Sequence, residues 1–141
     1  MASKFQTLIT ADELAGLLGD ENIVILDCRF YLDDILIGRK EYIHSHIPDA
    51  VYMDIAHDLS SPVFQHVTGR HPLPHPEVLS SSLRAAGLCA NSQVVVYDQS
   101  NGAYAARAWW LLRWLGHEAV AVLNGGFSAW KEINGPYDNQ W

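Results

Sequence analysis

The chain has 141 residues, 49% of them apolar and 18% charged, with a formal net charge of −7 and a pI near 5.3. One domain with a proper core fits that length, and so acidic a surface excludes general binding to nucleic acid or an anionic membrane. There is no transmembrane run, the start "MASKFQTLITADELAG" lacks the apolar stretch of a signal peptide, and Cys28 and Cys89 are too few for a disulfide framework, so a reducing, cytoplasmic setting is expected.

Thr10-Ala11-Asp12-Glu13 has the form of a capping box, opening a helix through Leu14, Leu17 and Leu18 to Gly19. The short apolar run "NIVILDC" ends in Asp27 and reads as a buried strand. "GRKEYIHSH" is a brief helical turn closed by Ile47-Pro48, and "AVYMDI" is a second strand ending near Asp54. Residues 57–76 are rich in Pro, His and Ser and read as a surface loop. Pro76 suits the first position of a helix that places Val78, Leu79, Leu83 and Ala86 on one face and stops at Gly87. Then come the strand "QVVVYD", the helix "YAARAWWLLRWLG", the strand "EAVAVLNGG" and the helix "FSAWKEI", broken by Asn134-Gly135-Pro136.

Solidly apolar strands alternating with helices predict an α/β fold, a parallel sheet covered on both faces. In such sheets the functional crevice lies outside the carboxyl ends of the strands. Asp27-Cys28-Arg29, Asp54, Asp98 and Asn124-Gly125-Gly126 fall at those ends. The stretch around Asp98 is strand, sharp loop, helix. Amides in such a loop, with the dipole of the helix that follows, bind an anion, and a cysteine at its head would be a ready thiolate. Asp98 is open to three readings: a cap that accepts loop amides, a carboxylate nucleophile, or the mark of a lost cysteine. The second resembles the haloacid-dehalogenase opening only in outline, since Ser100 stands where a second Asp is needed.

"ILDCRF", "EYIHSHIPDAVYMDI", "DLSSPV", "GRHPLPHPE" and "VVVYDQSNGAYAARAWWLLRWLGHEAVAVLNGGFSAW" together resemble the rhodanese family, in the form of the N-terminal, non-catalytic domain of a tandem-domain thiosulfate or 3-mercaptopyruvate sulfurtransferase. The resemblance covers nearly all of the chain, with Asp49 where the motif Y-x-x-x-H-I-P-G-A has Gly. It implies a rhodanese-like parallel sheet of about five strands, one domain over residues 1–141, and an interdomain linker beginning within residues 134–141. It implies that a cysteine on a C-terminal partner domain carries sulfane sulfur as a persulfide, taken from a small anionic donor and passed to cyanide or a thiol. Asp98 then occupies the degenerate cysteine position, and this half alone is inactive. The resemblance also implies that this half supplies a His and an Asp to a proton relay between the domains. His71 fits that His, with His66 the alternative; the place of the Asp holds Ala56, with Asp58 two residues on, which favours thiosulfate.

Arg29, Arg70 and Arg107 are the candidate anion binders near the crevice, although Arg29 and Arg107 could equally pair with Asp27 or Asp98. Cys28 and Cys89 read as structural, and His46 as a residue that fixes the "HIP" turn. His71 and His75 are separated by prolines that forbid a helical metal pair, so neither metal nor cofactor is expected. The helix at 104–115 is apolar most of the way round, which suits either deep burial or an edge that meets a partner. Two other classes of function stay open beside the sulfurtransferase half: a stand-alone binding module and a phosphatase, the latter lacking its cysteine nucleophile.

Overall fold

The computed structural model describes residues 5–64, 68–69 and 71–139. The described elements, in order, are β1 (Leu8–Ile9), α1 (Ala11–Ala15), β2 (Ile23–Asp27), α2 (Ile37–His44), β3 (Val51–Tyr52), α3 (Pro76–Ala85), β4 (Gln93–Tyr97), α4 (Ala103–Trp114), β5 (Val120–Leu123) and α5 (Gly126–Glu132). The five strands form one parallel sheet in the order β1-β5-β4-β2-β3. β2 and β4 are paired along their full length, Ile23 with Gln93 through Asp27 with Tyr97, so Asp27 and Asp98 emerge at the same end of the sheet.

Alternate residues of the central strands feed two cores. Val24, Leu26, Val94 and Val96 face Leu79, Leu83, Ala105, Ala108, Leu111 and Leu112 of α3 and α4. Ile25, Val95, Tyr97 and Ala121 face Leu14, Tyr42, Phe127 and Trp130 of α1, α2 and α5. Both faces are therefore covered, as the unbroken apolar strands require.

The capping box forms as expected: the Glu13 amide donates to Thr10 Oγ1 at 3.1 Å and the Thr10 amide to Glu13 Oε1 at 2.9 Å. Three details differ from expectation. The edge strand β1 is only two residues long and abuts a helix, so it has no sequence periodicity to betray it. "AVYMDI" pairs only through Val51–Tyr52. Val78 is 63% exposed, because with Pro76 at the first helical position the inner face of α3 is carried by Leu79 and Leu83, spaced i,i+4. On α4 the outward face carries Trp110 and Trp114, partly exposed and stacked on each other with centroids 5.9 Å apart.

Residues beyond α5 turn back onto the domain. His46 and Asp138 exchange backbone hydrogen bonds of 2.8 and 2.7 Å, and the Trp130 indole donates to the Pro136 carbonyl at 2.7 Å. Asp49 adopts φ of 67°. A left-handed residue is needed at that turn, which is the physical reason glycine is typical of the motif there.

Candidate active-site crevice

The carboxyl ends of β2 and β4 are tied by a buried polar network. Asp27 is fully buried and accepts from the Arg29 guanidinium, Nη2 at 2.7 Å and Nε at 3.1 Å, and from the Tyr97 hydroxyl at 2.7 Å. Arg29 Nη2 also donates to the Ser45 carbonyl at 2.6 Å, and the guanidinium lies 4.4 Å from the Phe127 ring centroid. The Arg29 pairing left open by the sequence is thus with Asp27. Burial pushes the Tyr97 phenol well above its ordinary value, and the charge of Asp27 adds to the shift.

Asp98 follows β4 and is fully buried, yet it has no salt-bridge partner among the described residues. Its charge is met by backbone amides alone. Oδ1 accepts from Ser100 at 3.1 Å and Gly102 at 3.0 Å; Oδ2 accepts from Tyr104 and Ala105, both at 3.0 Å. Tyr104 and Ala105 lie in the first turn of α4, where the helix dipole favours an anion. The loop is an amide cradle, and its occupant is the protein's own carboxylate. Its outer side is pinned to α5 by the Phe127 amide donating to the Asp98 carbonyl at 2.9 Å and by the Ser128 hydroxyl donating to the Gln99 carbonyl at 2.9 Å.

Arg107 pairs with neither Asp27 nor Asp98. From α4 it donates to the carbonyls of Leu59, His71 and Pro72 at 3.0–3.4 Å and to the Ser60 hydroxyl at 3.3 Å. It is a clamp on the connecting loop, and backbone carbonyls are partners no sequence pattern could reveal. His71 is thereby brought to the crevice, its ring 5.6 Å from that of Phe30. Asp54 and Asp58 close a local turn: Asp54 Oδ1 accepts from Ala56, and Asp58 Oδ2 accepts from the Asp54 amide, both at 2.8 Å. Arg70 and His66 lie outside the described residues.

His46 Nδ1 lies 2.7 Å from the Tyr42 carbonyl and its ring stacks on Tyr42, which anchors the "HIP" turn. Cys28 is fully buried, and burial, followed by the charges of Asp27 and Asp98, raises its thiol well above the ordinary range. It is held as a thiol, the opposite of an activated nucleophile. Cys89 is exposed, but it precedes β4 and so lies toward the other end of the sheet from Asp98. Among the described residues no group of three or more His, Cys, Asp or Glu could hold a metal ion, and no helix is long and apolar enough to cross a membrane.

Residues 10–133 match the rhodanese-like domain. The chain belongs to the rhodanese family. A Pseudomonas aeruginosa protein named "Probable 3-mercaptopyruvate sulfurtransferase" is 52% identical over 125 residues, covering 88% of this chain and 44% of that protein. The thiosulfate sulfurtransferase of Bos taurus is 33% identical over 130 residues, covering 89% of this chain and 41% of its own length. The solved 3-mercaptopyruvate sulfurtransferase from Leishmania major superposes with a TM-score of 0.86 at 31% identity, over 96% of this chain and 37% of that one. This rhodanese chain thus spans about half the length, or less, of the sulfurtransferases it matches.

Proposed function

We propose that the chain is the N-terminal, non-catalytic half of a tandem sulfurtransferase. The observation that carries this reading is the Asp98 carboxylate held by four loop amides, in the place where a rhodanese thiolate or persulfide would be cradled. A carboxylate there excludes a second anion, and neither cysteine of this chain replaces the missing nucleophile. The coverage of about half of each relative supports a second domain that supplies it.

In the assembled enzyme the partner domain's cysteine thiolate attacks the outer sulfur of the donor. With thiosulfate the S–S bond breaks and sulfite leaves. With 3-mercaptopyruvate the C–S bond breaks, its electron pair passes to carbon, and the enolate takes a proton to become pyruvate. The persulfide sulfur then passes to cyanide or a thiol. This half contributes the connecting loop at His71, whose ring packs edge-on against the buried Phe30. The His71 ring suits the proton transfer that 3-mercaptopyruvate requires and thiosulfate does not. The relatives' names include both donors, so the substrate class is a small anionic sulfur donor.

The chain alone should show no transfer from thiosulfate or 3-mercaptopyruvate to cyanide above background, and mixing it with a separately expressed cysteine-bearing rhodanese domain of a close relative should raise that domain's turnover. Robust turnover by the chain alone, abolished by Cys28→Ser, would overturn the proposal.

A further inference from the structure

A second groove, of about 610 Å3, opens between α2 and α5. It lies on the α2 and α5 face of the sheet, opposite the α4 face from which Arg107 clamps the connecting loop. Its charges are unusual for this molecule. The chain has only nine Lys and Arg, yet Arg29, Lys40 and Lys131 all line this groove. Neither lysine makes an ion pair among the described residues. The Arg29 guanidinium spends Nε and Nη2 on Asp27 and Ser45, and Nη1 makes no hydrogen bond among the described residues. Arg29 is already ion-paired with Asp27, so the groove's basic groups without an ion pair among the described residues are Lys40 and Lys131. Two such groups together on an acidic protein, beside a guanidinium nitrogen that Asp27 leaves free, mark a place for an anion.

Among the described residues the same groove holds one acid. Glu41 Oε1 is buried without a hydrogen-bond partner among the described residues. A buried acceptor left unmade is costly, and such an atom in a native structure calls for a donor. The nearby Tyr31 phenol is raised to about 12, by burial first, then by its hydrogen bond to Glu41 and by the charge of that carboxylate, so Glu41 already has one neighbouring donor and Oε1 is the oxygen left open. A plain anion entering the groove would gain from Arg29, Lys40 and Lys131 but would be repelled by Glu41. A ligand with an anionic and a cationic end would satisfy both signs.

We propose that the groove between α2 and α5 binds a free α-amino acid, its carboxylate toward Arg29 and Lys131 and its ammonium toward Glu41. The cavity is of the size of ordinary small-molecule sites, which run from roughly 300 to 1,000 Å3. The proposal uses neither Asp98 nor His71, although the groove shares Arg29, Gln99 and Ser128 with the network around the crevice.

The test is amide chemical-shift titration of the 15N-labelled chain with three probes of related skeleton: L-alanine, propionate and ethylamine. L-alanine should move the resonances of α2 and α5, with propionate and ethylamine each binding roughly tenfold more weakly, the loss expected of one charge-assisted hydrogen bond. Lys131→Gln should weaken both alanine and propionate. Glu41→Gln should weaken alanine yet strengthen propionate, a reversal that no loss of folding can produce; circular dichroism confirms that each variant is folded. Propionate binding as tightly as alanine would reduce the groove to an anion site and overturn the proposal, as would shifts confined to other elements or none at all.

Discussion

Asp98 invites comparison with an ordinary helix cap, and the two roles predict different mutational behaviour. An N-cap needs one acceptor oxygen, and Asn serves there about as well as Asp. Asp98 uses both oxygens, two amides to each. Asp98→Asn keeps one oxygen but turns an NH2 group toward two N–H donors, so it should strand two of the four amides where Asp98→Ala strands all four. Asp98→Asn should lose at least about 2 kcal/mol in urea unfolding and Asp98→Ala at least about 4 kcal/mol, since each of these amides left unmade costs roughly 1–3 kcal/mol. An Asn variant within about 0.5 kcal/mol of the parent would return Asp98 to the role of a simple cap. Arg107 is argued at the same scale. Arg107→Met keeps the stem and removes every donor to Leu59, Ser60, His71 and Pro72. Limited proteolysis between Leu59 and Pro72 should accelerate several-fold while the melting temperature moves by only a few degrees. Unchanged cleavage would show that the loop is held by other contacts.

Among the elements, the turn from β5 into α5 is the most constrained. Gly125 and Gly126 both have positive φ, 82° and 60°, and a Cβ on Gly126 would stand 2.6 Å from the Asp98 carbonyl oxygen and 2.8 Å from the Ser100 nitrogen. Both obstacles are backbone of the cradle itself. Gly126→Ala should therefore cost about 2–5 kcal/mol, left-handed strain plus overpacking. Gly87→Ala is the control: its φ is also positive, at 105°, but nothing lies within 4 Å, so strain alone, about 1–2 kcal/mol, should remain. Equal losses from the two, measured by urea midpoints, would show that contact with the cradle adds nothing. The position of Asn124-Gly125-Gly126 at a strand end was legible in the sequence, as were the Thr10 capping box and the Pro76 helix start, because each is a local signal carried by adjacent residues. β1 and the short reach of β3 were not, since their pairing is decided by distant strands. The site divides in the same way. Asp98 at a strand end was legible; the choice of Asp27 as partner for Arg29 was not, because two carboxylates emerge at one end of the sheet. The carbonyl partners of Arg107 belong to a loop brought over in three dimensions.

At the scale of the whole molecule, the buried network beneath the crevice sets how the fold responds to alkali. Tyr97 bonds to Asp27, and its phenol is raised well above the ordinary value, chiefly by burial. Cys28 is raised for the same main reason, and Tyr31 is raised to about 12. For each group the folded chain keeps its proton when the unfolded chain has lost it. Their contribution to stability is therefore complete below the ordinary value, near 8.5 for a thiol and 10 for a phenol, and is lost as pH rises toward the folded value. Stability should hold level through neutral pH, begin to fall near pH 9 as unfolded Cys28 ionises, and fall more steeply above about pH 10 as the phenols join. Each group adds a slope of about 1.4 kcal/mol per pH unit within its window. Tyr97→Phe separates the network from the bulk of the effect. It should be less stable than the parent at pH 7, where it lacks the bond to Asp27, yet its stability should fall less steeply above pH 10 by one proton's worth of slope. The two curves should thus converge at high pH. Curves that stay parallel from pH 10 to 11.5 would mean that Tyr97 ionises as readily in the folded chain as in the unfolded one, and that the network joining β2, β4 and the "HIP" turn opens before the molecule does.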